Sequence, residues 1–182
     1  MTFSSLHAHA LPLYTSFGMD AWWPLLYLTG DVRAVRRPDG WSVSEAKPDQ
    51  VGALEREWTG IDRTAEHRLW AAWPHGSGLI ATLDGQVAAA GTAGGAGPEY
   101  GVCHLAVDAS SGGDDRVRDA VIAVLSCLEP AGGRARVCLP APHPAVRPLL
   151  RAGWRVSEFD LHMASRQGLV NPRRAIPSPA MA

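Results

Sequence analysis

One short pattern occurs near both ends of the chain. "LPLYTSFGMDAWWPLLYLTGD" begins at Leu11 and "VRPLLRAGWRVSEFDLHMASR" at Val146, and with Gly18 set over Gly153 the two run together without a gap. Each holds a short apolar helical turn, one glycine, a large apolar residue and then a run rich in strand formers. A glycine directly after a helical turn is what a left-handed helix end favours. The first copy carries Leu11, Leu13, Tyr14, Phe17, Trp22, Trp23, Leu25, Leu26, Tyr27 and Leu28. An isolated hairpin is marginal in water, so a segment this apolar has to be covered. The matching end, Val146 to Ser165, is the expected docking place, with a homodimer through strand edges as the second choice. Trp22 and Trp23 are the expected exposed patch if the segment is an orphaned hairpin.

Between the copies the elements follow in a readable order. Residues 31–40 are polar and basic, close on Pro38-Asp39-Gly40 and read as a linker. "WSVSEA" alternates as a strand does. "KPDQVGALEREW" places Pro48 at a first helical turn and Asp49 beside its dipole. Leu69, Trp70 and Trp73 fit one face of a second helix. Asp84-Gly85 between two apolar runs predicts a tight hairpin. "EYGVCHLAVDA" is a further strand, on which alternation puts Tyr100, Val102, His104, Ala106 and Asp108 on one face. Val117, Val121, Val124, Leu125 and Leu128 mark an amphipathic helix. "RARVCLP", a short helix ending at Gly153, and one or two closing strands complete the series, and the proline-rich 166–182 reads as an irregular tail. The fold class is α+β (α/β), a mixed and mostly antiparallel sheet flanked by helices.

Composition narrows the function. Of 182 residues, Lys and Arg number 17 against 18 Asp and Glu, a net charge of −1, so no attraction to nucleic acid or an anionic membrane is expected. Cys103, Cys127 and Cys138 have no zinc spacing and lie in apolar runs, as buried free thiols do. The absence of a signal-peptide pattern leads to an expected cytoplasmic location. His7 and His9 have no third candidate ligand beside them, so no metal site is expected.

From Trp41 to Ser165 this order, with the segments "GIDRTAEHRLWAAW", "GLIATLDGQVAAAG" and "PLLRAGWRV", resembles the GNAT fold of acetyl-CoA-dependent N-acetyltransferases, and most of all the second unit of tandem GNAT proteins. On that resemblance residues 1–30 are similar to the terminal helix and hairpin of a preceding GNAT unit, 31–40 are a linker, 41–165 are the GNAT-like domain and 166–182 a tail. The implied partners are then a missing N-terminal GNAT unit or a second copy, besides an amine acceptor, small molecule or peptide.

The resemblance also implies a cradle for acetyl-CoA. Leu105, Ala106 and Val107 fall on the strand whose backbone holds the pantetheine arm. Gly112, Gly113 and Arg116 fall on the loop and helix start that meet the pyrophosphate, where free amides and the dipole favour anions. This chain departs from the family's loop. It reads "SSGGDD", and Asp114 and Asp115 stand where phosphates approach, so weak or absent binding is expected; alternatively they only cap a helix. Tyr14 matches the family's acid that protonates the leaving thiolate, while the same position of the second copy is Leu149. His104, with a side chain suited to proton transfer near neutrality, is the candidate base or relay, or else a hydrogen-bonded core residue; Glu99 and Asp108 are its neighbours. Asp62-Arg63 and His67-Arg68 match a recurring stretch and could line an acceptor groove. Two functions follow: an N-acetyltransferase, or a catalytically silent GNAT-like binding module.

Overall fold

The computed structural model describes residues 2–5, 9–96, 100–108, 110, 112–129, 133–168, 171–174 and 176. His7 and Glu99 lie outside them. The strands are β1 (Thr2–Ser5), β2 (Asp20–Asp31), β3 (Trp41–Ala46), β4 (Ser77–Leu83), β5 (Gln86–Gly94), β6 (Gly101–Val107), β7 (Arg134–Pro140) and β8 (Arg155–Ala164). The helices are α1 (Ala10–Ser16), α2 (Pro48–Thr59), α3 (Thr64–Ala71), α4 (Gly113–Cys127) and α5 (Val146–Arg151). All eight strands form one sheet in the order β1-β8-β2-β7-β6-β5-β4-β3, antiparallel at every junction except β6 with β7.

The terminal repeat turns into an approximate two-fold axis. Gly18 and Gly153 both take left-handed φ, 75° and 86°, after α1 and α5. The strands that follow, β2 and β8, then pair antiparallel. Asp20 lies opposite Ala164 and Thr29 opposite Arg155; Trp23 lies opposite His162 and Tyr27 opposite Glu158. These are symmetric exchanges under the Gly18–Gly153 alignment, centred on Leu25 opposite Asp160. The two register shifts, at Trp22 and at Ser157, are themselves equivalent positions. The register is thus symmetric about the same alignment that relates the two glycines.

Two expectations for the first thirty residues change. Asp20 to Asp31 is one twelve-residue strand, not a hairpin, because no turn dipeptide interrupts it and a bulge absorbs the crowding at Trp22. Nor do Trp22 and Trp23 form an exposed patch. Trp22 is half-buried and its Nε1 donates to the Ala164 carbonyl at 3.2 Å, while Trp23 stacks on His162 with ring centroids 4.5 Å apart. The exposed large apolar residues of this segment are Leu13 on α1 and Phe17 directly after it. β2 runs along β8, the expected docking place, and along β7 on its other side. The stretch read as a linker packs Val32 and Val35 into the main core. "WRVSEFDLHMAS" forms a single strand.

α4 and α5 cover one face of the sheet. Val117, Val121, Val124, Leu125 and Leu149 share a core there with Leu28, Val102, Leu105, Val137 and Leu139. α2 and α3 lie on the opposite face. Pro48 opens α2, the Gln50 side chain accepts from the Lys47 amide at 3.0 Å, and Gly60 closes it at φ 74°. Asp84 and Gly85, at φ 50° and 81°, make the two-residue hairpin turn between β4 and β5.

Trp154, 2% exposed, lies over the backbone of Gly30, and a Cβ added to Gly30 would overlap its indole. We expect Gly30→Ala to cost about 1–3 kcal/mol through overpacking. Chemical denaturation measures it; an unchanged unfolding midpoint would show that Trp154 is not locked against β2.

Candidate active site

The one parallel junction is also the shortest. β6 and β7 meet only at Gly101–Arg136 and Val102–Val137, after which they diverge. Gly101 sits so close to the Arg136 carbonyl that no side chain fits there. From Cys103 to Val107 the edge of β6 that faces β7 makes no ladder with it, so a wedge opens between the two strands. β7 can leave β6 because its other edge is held by β2 from Leu25 to Asp31.

A bulge stands at the apex. His104 pairs with Thr92 and Val102 with Ala93, so Cys103 is the additional residue. It breaks the simple alternation. Val102 turns into the core beneath α4 with Leu105, while His104 turns to the opposite face, toward α2 and α3. Tyr100, Val102, His104, Ala106 and Asp108 therefore do not share one face, because alternation holds only in an unbulged strand. Cys103 is buried, and burial pushes its thiol up to about 12, leaving it an inert thiol beside the site.

His104 belongs to a buried polar cluster. Its Nε2 lies 2.9 Å from Glu55 Oε1, and His67 Nε2 lies 2.8 Å from Glu55 Oε2. His67 Nδ1 is 2.8 Å from Thr92 Oγ1, and Arg63 Nε is 3.3 Å from Glu55 Oε1. Glu55, His67 and Thr92 are all buried, His67 completely. Burial alone would push the Glu55 carboxyl up. The hydrogen bonds from His104 and His67, joined by the Arg63 cation, outweigh it and hold the group down at about 2. An ionised carboxylate only accepts, so both histidines present Nε2–H to it. His104 then keeps Nδ1 as the basic nitrogen, with no described group bonded to it.

Of this cluster, His104 and the Arg63 and His67 positions were visible in the sequence; Glu55 was not singled out. The signal was its spacing. Val51, Gly52 and Glu55 recur at one and four residues on the inward face of α2, an acid where an apolar residue belongs. α3 approaches closely because a Cβ on Gly52 would overlap Thr64.

The phosphate end expected from the sequence lies at the start of α4. Gly112 and Gly113 have φ of 88° and 54°, and no side chain caps the helix. Its first amides are therefore available to an anion. Leu105 and Val107 point their side chains into the core and offer only backbone to the wedge, and Ala106 takes the opposite face. Arg116 Nη2 is 3.5 Å from Asp108, whose carboxylate also accepts from the Ser110 amide and hydroxyl, each at 3.0 Å. Asp115 pairs with Arg118 at 2.5 Å. Asp114 is held by both Arg173 Nε, at 3.1 Å, and Arg173 Nη2. Tyr14 is not brought to His104: α1 joins β1 to β2 around β8, and β7 still separates β2 from β6. Leu149 of α5, its counterpart, is fully buried in the core.

His143, in the turn between β7 and α5, is 2% exposed. Its Nδ1 accepts from the Ala145 amide at 3.2 Å, so the neutral ring carries its proton on Nε2, which has no acceptor among the described residues. Burial, then the Arg173 cation, holds the imidazole down at about 4, against a smaller opposing effect of Asp114.

Comparison with solved structures places this architecture. An acetyltransferase candidate from Pyrococcus horikoshii superposes over 100% of this chain and 59% of its own, with TM-score 0.64 and 13% identity. The GCN5-related N-acetyltransferase from Kribbella flavida matches over 86% of this chain and 63% of its own, with TM-score 0.53 and 14% identity. The chain has the GNAT fold. A tandem GNAT protein from the clavulanic acid biosynthesis pathway matches over 89% of this chain and 62% of its own, with TM-score 0.50 and 16% identity. The chain thus spans about three-fifths of the length of these solved structures. No protein-family model and no curated protein sequence matches it. Among the described residues no helix is long and apolar enough to cross a membrane, and no group of His, Cys, Asp or Glu has the form of a metal site.

Two outcomes follow. Glu55→Ala leaves two histidines and Arg63 facing each other without their anion, and we expect a loss of about 3–5 kcal/mol in chemical unfolding; a loss below about 1 kcal/mol would contradict the cluster. His143 protonates more readily unfolded than folded, so stability falls as pH drops from 6.5 to about 4. His143→Asn should flatten that part of the pH–stability curve, and an unaltered curve would mean another group causes it.

Proposed function

We propose that the chain is an acetyl-CoA-dependent N-acetyltransferase acting on an amine. The observation that carries this is His104 at the apex of the β6–β7 wedge, its Nε2–H held by the buried Glu55 carboxylate. The unpaired edge of β6 and the uncapped first turn of α4 fit the pantetheine and pyrophosphate portions of acetyl-CoA. Asp114 and Asp115 are the features that fit less well, and both are paired to arginines.

When bound there, acetyl-CoA supplies an activated acyl carbon; a C–N bond to the acceptor forms as the C–S bond breaks. His104 Nδ1 takes the proton that the amine loses. Glu55, fixed by His67 and Arg63, orients the ring and favours the imidazolium it becomes. Thr92, bonded to His67 Nδ1, fixes the second histidine. The leaving thiolate must still gain a proton. Leu149 has none to give, and Tyr14 sits across the sheet, so solvent is the proton source this geometry favours. The small-molecule or peptide identity of the amine is set by loops around the wedge.

The test is acetyl transfer to a panel of primary amines. His104→Ala should lower kcat about 10²–10⁴-fold while acetyl-CoA binding by calorimetry persists. Full activity in His104→Ala would remove the proposed base. Leu149 and the acidic start of α4 favour a second reading, a silent binding module; acetyl-CoA binding with no transfer to any amine would support it.

A further inference from the structure

The acidic start of α4 has a counterweight from far along the chain. Arg173 reaches Asp114 with two nitrogens, Nε at 3.1 Å and Nη2 in the same fork. The segment that carries it is docked rather than loose. Its own turn is closed by the Asn171 side chain, which accepts from the Arg173 amide at 3.0 Å, and Ile176 is buried at 1% exposure in the core that also holds α4 and α5. The fork fixes orientation as well as charge, since a guanidinium matches a carboxylate in its plane. Asp115 is separately matched by Arg118, and Asp108 by Arg116. Every carboxylate at the mouth of α4 therefore has an arginine partner, and Asp114 alone takes its partner from outside the loop and helix. Close enough to Arg173 and Asp114 to feel both charges, His143 keeps a buried Nε2–H with no acceptor among the described residues.

We propose that Arg173 is a binding residue for the phosphate end of acetyl-CoA, masking Asp114 so that the first turn of α4 and the His143 Nε2–H can accept an anion. This rests on the acetyltransferase reading. It makes the C-terminal segment a third wall of the cofactor site and explains how "SSGGDD" can serve where the family's loop carries no acids. A bare carboxylate some 5 Å from a phosphate would repel it strongly even at an effective dielectric near 20. With Arg173 in place the pair presents no net charge, and the guanidinium edge not used by Asp114 remains a donor to phosphate oxygen.

The experiment is calorimetric titration of the full chain with coenzyme A at low salt, with pantetheine, which has no phosphate, as the control. Arg173→Ala should weaken coenzyme A binding about tenfold or more, leave pantetheine binding unchanged, and leave the melting temperature close to the parent's, since its side chain is half exposed. Asp114→Ala with Arg173→Ala should recover most of the loss, because the charge to be masked is gone. Equal or tighter binding of coenzyme A by Arg173→Ala overturns the proposal and makes the segment a bystander or a plug. A double variant as weak as Arg173→Ala alone overturns the masking role. If the parent chain and all variants fail to bind coenzyme A, the acetyltransferase reading itself falls, and this proposal with it; binding by the parent without an Arg173 effect sinks this proposal only.

Discussion

The hydrogen-bonded pairing of β2 with both β7 and β8 is the constraint on which the site depends. β7 has to leave β6 after two paired residues, and a strand that gives up one ladder needs the other. β2 provides it along seven residues of β7, and hands its opposite edge to β8. Inside the sheet, the backbone groups of β6 from Cys103 to Val107 on the side of β7 are left open along the wedge, where a ligand can use them. The same strand brings Leu28 into the main core and lets Trp154 settle on Gly30. A segment from the first thirty residues is thus interior to the sheet and pairs with the strand that diverges from β6.

Within that frame the proposed chemistry rests on one buried carboxylate. Glu55 accepts hydrogen bonds from His104 and His67 and pairs with the Arg63 cation, which together overcome the desolvation of a group with 3% side-chain exposure. A buried charge of this kind is weak evidence for stability, because an apolar replacement of the whole set could be as stable. Its retention under α2 and α3 is better understood through what it does to His104: it fixes the tautomer and the ring at a point where the sheet opens. The bulge at Cys103 is equally necessary, since without it Val102 and His104 would face the same way.

Much of the fold could be read before any coordinates. Asp84-Gly85 specified its hairpin because few other dipeptides accept two positive φ angles, and α4 was clear from its apolar spacing. The repeat about Gly18 and Gly153 pointed to the right neighbours, β2 and β8. What local pattern could not supply was the long-range pairing. Nothing in "DAWWPLLYLTGD" distinguishes one interior strand from two short ones, and a bulge at Cys103 leaves no compositional mark. Glu55 was hidden for a similar reason: in "KPDQVGALEREW" it reads as one more surface acid, and only its offset from Val51 turns it inward. Arg173 lay in a stretch whose prolines read as an irregular tail, and its partner Asp114 is almost sixty positions away.

The central claim, that acetyl-CoA lies along the open edge of β6 and ends at the start of α4, is tested most directly by amide chemical-shift mapping. In a 15N-labelled chain titrated with acetyl-CoA, the amides of Cys103 to Val107 and Gly113 to Arg116 should shift together and saturably, with those of β3 and β4 unaffected. Shifts confined to other strands, or none at all at millimolar ligand, would contradict the account.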